Sequence, residues 1–148
     1  MSQKPLGEDG HTLAEMVIVL LIITVTIGIP ILTFHSFQNQ KEIDYFIELL
    51  AEDLRYAQQY AYAHEKMIFL ESDKTSYALK ESVYSKPLLL RKIPAGVKFD
   101  RGTISTSEII YNHNGNIRKP GTFYIRTAKN NYKVVLLLGR GRFYVEKM

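Results

Sequence analysis

The chain of 148 residues contains no cysteine, so neither a disulfide framework nor thiol chemistry is open to it, and packing must hold any folded module. Charge is missing from one long stretch: between Glu15 and Lys41 there is no Asp, Glu, Lys or Arg. Catalytic signatures are missing as well. The sequence holds no G-x-S-x-G, no Gly-x-x-x-x-Gly-Lys phosphate loop and no H-E-x-x-H. His11, His35, His64 and His113 form no i, i+4 pair, and each reads as a polar surface or helix-end residue before it reads as a metal ligand. Gly139-Arg140-Gly141 lacks the third glycine and the following helix of a dinucleotide loop, so a tight turn or bulge between strands is the simpler reading. The residues therefore predict no enzyme, no cofactor and no metal.

What the uncharged stretch does contain is apolar bulk. Thirteen of the residues from Val17 to Phe34 are Val, Ile, Leu or Phe. At roughly −0.3 to −0.6 kcal/mol each near a bilayer centre, they favour insertion by about 4 to 8 kcal/mol, and a helix of this length reaches across a core of about 30 Å. A membrane-spanning first half is thus expected. Glu15 stands at its mouth. An acid there is a functional hypothesis by default, since it needs a cationic partner that the nearby sequence does not supply. Cutting the chain after Gly10 would create one, the α-amino group of His11, offered by a neighbouring copy. Pro30 lacks the amide for a helical hydrogen bond and, with Gly28, marks an expected kink or melted turn. The apolar run is longer than the roughly 7–15-residue h-region of a secretory signal and no small-x-small site follows it, so cleavage before the run, with the helix retained, fits better.

From Lys41 to about His64, Ile43, Phe46, Ile47, Leu50, Leu54, Ala57 and Ala61 recur at steps of three and four, the pattern of an amphipathic helix. Glu48, Glu52, Asp53 and Arg55 fall on its other faces. End to end, residues 11–63 would make a rod of roughly 80 Å. Strand-type runs follow at Met67–Leu70, Ser76–Lys80, Leu88–Ile93, Val97–Phe99, Glu108–Asn112, Thr122–Thr127, Tyr132–Leu138 and Arg142–Glu146. Asn114-Gly115 and Lys129-Asn130-Asn131 separate some of them as turns. The expected fold class is α+β: a long N-terminal helix, membrane-spanning in its first half and amphipathic in its second, packed on a C-terminal antiparallel β-sheet.

The formal charge is +4, which permits contact with DNA, teichoic acid or anionic lipid and proves none of them. Removing residues 1–10 takes away Lys4, Glu8 and Asp9 and leaves 18 basic and 13 acidic side chains, formally +5. Arg118, Lys119, Arg126, Arg140 and Arg142 form a candidate basic strip, with Arg140 and Arg142 the candidate DNA contacts. The bland reading of the same residues is a solvated sheet face. The ten tyrosines invite base stacking, yet Tyr45, Tyr56, Tyr60 and Tyr62 sit on the amphipathic helix, where packing with hydroxyls outward is the simpler role.

Gly10-His11-Thr12-Leu13-Ala14-Glu15-Met16 resembles the prepilin-peptidase site of type IV pilins and pseudopilins, usually Gly-Phe-Thr-Leu-x-Glu; His11 departs from the family's Phe. The resemblance implies a leader over residues 1–10, a transmembrane and assembly helix over 11–34, and a pseudopilin domain over 35–148. It implies cleavage between Gly10 and His11, N-methylation of His11, and an assembly role for Glu15. Tyr111-Asn112-His113-Asn114-Gly115-Asn116, Gly121-Thr122-Phe123-Tyr124-Ile125 and Gly139-Arg140-Gly141-Arg142 resemble the C-terminal signature of one pseudopilin branch. That branch holds type II secretion pseudopilin H and the D-type minor pseudopilins of Gram-positive competence pili, and the tail is closer to the latter. The implied function is that of a minor structural subunit of a competence pilus assisting DNA uptake in transformation. Its partners would be other pilin subunits, the prepilin peptidase, the membrane and, directly or through the pilus, DNA. It would sit in the cell membrane as a single-pass protein with a cytoplasmic N-terminus before assembly, and at the cell surface afterwards. A type II secretion pseudopilin, or a membrane-tethered binding module that does not assemble, are the alternatives.

Overall fold

The computed structural model describes residues 12–139 and 142–148, with the side chains of residues 28–39 outside the described set. The chain divides into two compact units, Met1–Gln40 and Lys41–Met148. One α-helix, α1 (Leu13–His64), begins in the first and ends in the second. Within the first unit Thr12 precedes the helix, and the Glu15 amide donates to its Oγ1 at 3.3 Å, the Thr-x-x-Glu arrangement that satisfies an otherwise orphaned N–H. The hydroxyls of Thr24 and Thr26 donate to the carbonyls of Leu20 and Ile22, each at 2.7 Å, so neither needs a partner outside the helix.

In the second unit, the spacing of Ile43, Phe46, Ile47, Leu50, Leu54, Ala57 and Ala61 puts all seven on one buried stripe. The helix stops at His64. Glu65 takes a left-handed conformation (φ 52°) and the Lys66 amide returns to the Ala61 carbonyl at 3.2 Å, a capping turn that usually carries glycine.

Among the described residues eight strands follow: β1 (Ile68–Ser72), β2 (Ser76–Lys80), β3 (Leu89–Lys92), β4 (Lys98–Arg101), β5 (Ile110–Tyr111), β6 (Gly121–Arg126), β7 (Asn131–Leu136) and β8 (Phe143–Lys147). A single turn of 3-10 helix, Thr106–Glu108, precedes β5. The strands form two antiparallel sheets, ordered β3-β2-β1-β5 and β4-β6-β7-β8. Period-two alternation turns Ile68, Leu70, Tyr77 and Leu79 of the first sheet inward, and Phe123, Ile125, Val134 and Leu136 of the second. These side chains join the helical stripe in one core. Phe99 links the two sheets, edge-on to Tyr77 (centroids 6.4 Å) and to Phe123 (6.0 Å), while Phe46 brings the helix in against Tyr77 at 5.9 Å. Each large apolar side chain buried this way contributes about 1.5–3 kcal/mol.

Two expectations about fold class are corrected. The strands do not build one sheet under the helix: Pro94-Ala95-Gly96, with Gly96 at φ +84°, ends the run of the first sheet, and β4 pairs with β6 across the sequence instead of with β3. Second, among the described residues no helix is long and apolar enough to cross a membrane. The reading of the first half as a membrane-spanning helix is accordingly withdrawn.

Candidate assembly surface

Of the residues singled out from sequence, Gly10, His11 and Arg140 lie outside the described residues. Gly28 and Pro30 fall within the span of α1, and their side chains are outside the described set. Glu15 lies in the first helical turn, exposed, where a carboxylate also complements the positive end of the helix dipole. Thr12 was not anticipated as its structural companion, although the Thr-x-x-Glu spacing is the local signal for it.

Every residue from 12 to 27 is exposed, and eleven of them are large and apolar: Leu13, Met16 to Ile23, Val25 and Ile27. Isolated apolar side chains on a surface need no explanation, but a contiguous run marks a surface meant to be covered. Covering it is worth on the order of 10 kcal/mol, comparable with the whole folding stability of an ordinary domain. Thr24 and Thr26 do not oppose this, because their hydroxyls are already bonded within the helix.

The second unit carries its own polar anchor. Asp53 is only 4% exposed, the one charged side chain buried among the described residues. The Tyr77 hydroxyl donates to its Oδ2 at 2.5 Å, and Arg91 approaches with Nε at 3.1 Å and an Nη at 3.3 Å. Helix α1 is thereby tied to β2 and β3. Burial, reinforced by the bond to Asp53, pushes the Tyr77 phenol far above its usual range, and the bond to Asp53 raises the Arg91 guanidinium. Sequence periodicity placed Asp53 on a solvent face. The partners that reverse this are 24 and 38 residues away, where no local pattern points to them. Further clasps hold the helix: Tyr132 donates to Asp44 at 2.8 Å, Arg55 lies over the Phe143 ring at 5.4 Å, and Tyr60 donates to Glu81, just past β2, which Lys66, just past the helix, also reaches.

The basic strip expected from sequence is divided. Lys119 lies just before β6 and Arg126 at its far end, about 20 Å of strand apart. Arg142 precedes β8 and is tied by backbone hydrogen bonds to Leu137 and Gly139, so it belongs to the Lys119 end. Acids accompany several of these cations: Arg126 pairs with Asp100, Lys133 with Glu146 at 3.6 Å, and Lys119 and Arg101 both with Glu108 at 2.6 and 3.4 Å. Arg142 is exposed. Compared with known proteins, the chain matches no family model, no curated protein and no solved structure.

Proposed function

We propose that the chain is a minor structural subunit of a type IV pilus-like filament of the competence type, assisting DNA uptake during transformation. One observation carries this reading: a helical segment over residues 13–27 that is exposed throughout and bears eleven large apolar side chains, capped by Thr12, with an acid in its first turn. Copies of such a helix bury one another when they stack, which accounts for the exposed run. Glu15 gives the stack a register, because a carboxylate among apolar helices is tolerated only beside a cation. The amino group of a neighbour's mature His11 is that cation. The motif from Gly10 to Glu15 and the tail from Tyr111 to Arg142 support the same assignment by resemblance. The partners are then other pilin-like subunits and a prepilin peptidase, and the protein is membrane-associated before assembly and at the cell surface after it.

The test is the N-terminal residue and intact mass of the protein from cells with and without the prepilin peptidase. A chain that begins at methylated His11 only when the peptidase is present is the expected result. A chain that begins at Met1 in both overturns the assignment in favour of an unassembled module.

A further inference from the structure

Between the last turns of α1 and the 112–116 turn lies an open groove of about 600 Å³, lined by Gln58, Gln59, Tyr62, Asn114, Gly115 and Asn116. Its floor is held by backbone. The Asn112 amide donates to the Asn116 carbonyl and the Gly115 amide to the Asn112 carbonyl, both at 2.8 Å, and Tyr111 pairs with Ile117 just beyond. Gly115 is buried at φ +69°, and a Cβ there would lie 3.1 Å from the Gln58 carbonyl oxygen and 3.2 Å from the Tyr62 Cβ. Only glycine lets the turn come this close to the helix, so the two walls are set before any ligand arrives.

The chemistry of the lining is narrow. No lining residue carries a charged side chain. The exposed carboxamides of Gln59 and Asn114 each carry a donor group and an acceptor on one plane, which matches the paired donor and acceptor character of vicinal hydroxyls. Tyr62, 70% exposed, offers a flat apolar ring with a polar tip at the rim. Amides for hydroxyls and a ring for a C–H-rich face are the two complements of a pyranose. A charged ligand would find no counter-ion here, and a purely apolar one would desolvate the amides without replacing their hydrogen bonds.

We infer that this groove is a binding site for neutral oligosaccharides, with Tyr62 as the stacking platform and Gln59 and Asn114 among the hydroxyl-binding groups. The inference does not rest on the filament reading, since the groove lies wholly within residues 41–148 and needs no second subunit. The test is titration of the full-length chain, kept in solution with a zwitterionic detergent free of sugar, with maltohexaose and with chitotetraose. The side-chain amide resonances of Gln59 and Asn114 report binding. Saturable shifts with at least one of the two sugars are expected, and Tyr62→Ala should weaken that binding about tenfold with an unchanged thermal midpoint. Absence of saturable shifts with both sugars overturns the inference. So does equal affinity in Tyr62→Ala, or a stronger response to tetraglycine, which would mark the groove as a peptide site.

Discussion

Tyr111 is 1% exposed, and among the described residues its hydroxyl has no hydrogen-bond partner. Burial alone drives its phenol well above the usual range, since the ionised form has nothing to stabilise it. A buried hydroxyl without a partner forfeits its solvation, so Tyr111→Phe is expected to leave stability unchanged or raise it by about 1–2 kcal/mol in urea unfolding. Asp53 is the opposite case. Asp53→Ala strands the buried Tyr77 hydroxyl and removes the partner of Arg91, whose side chain is 39% exposed and keeps its solvation, and should cost about 2–3 kcal/mol. Tyr77→Phe should cost only about 1 kcal/mol, because Arg91 still serves the carboxylate. Equal losses in the two variants would contradict this division of labour. Asp53 also shows where sequence reading stops. Its position on a helix is legible from the three-and-four spacing around it, but its burial depends on Tyr77 and Arg91, which reach it only through the fold.

At the scale of elements, most strands were legible because their boundaries are local. Ser76–Lys80 and the β6–β7 hairpin form where alternation and the Lys129-Asn130-Asn131 turn place them. Their allocation to sheets was not legible. The pairing of β1 with β5 and of β4 with β6 joins segments separated by long stretches of chain, and nothing local in Phe69 or Phe99 names Ile110 or Ile125 as its opposite. The connections between these elements carry the acid sensitivity. Glu108 is held at about 2 by the Lys119 ammonium, which donates to it at 2.6 Å, and by the Ser105 amide at 2.8 Å. Asp73 is also held at about 2, by the amides of Thr75 and Ser76 in the β1–β2 turn. Both carboxyls are lowered in the fold, so the unfolded chain binds more protons between roughly pH 4.5 and 2. Their stabilisation is full above that window and is lost as pH falls through it. Denaturant midpoints measured from pH 6 to 2 should therefore drop across the window, and Glu108→Gln should flatten the drop; an identical profile in the variant would remove Glu108 from the cause.

For the molecule as a whole, the question is whether Glu15 serves the helix or the assembly. Both roles are available, since it stands at the position of a capping glutamate and at the edge of the exposed apolar run. The side chain that separates them is glutamine, which caps almost as well but carries no charge. Glu15→Gln is expected to keep processing and the thermal midpoint at the wild-type values, yet to reduce incorporation into filaments as severely as Glu15→Ala. Normal incorporation of Glu15→Gln, scored by immunoblot of sheared filaments, would leave Glu15 with a capping role alone. Thr24 and Thr26 then acquire a meaning of their own. Because each hydroxyl is closed onto the backbone one turn back, the described surface of this segment offers nothing that must be unfastened before a neighbour is exchanged. In the filament proposed above, contacts along this face would resemble a bearing more than a latch, open to stepwise replacement, with Glu15 the charged group at its end.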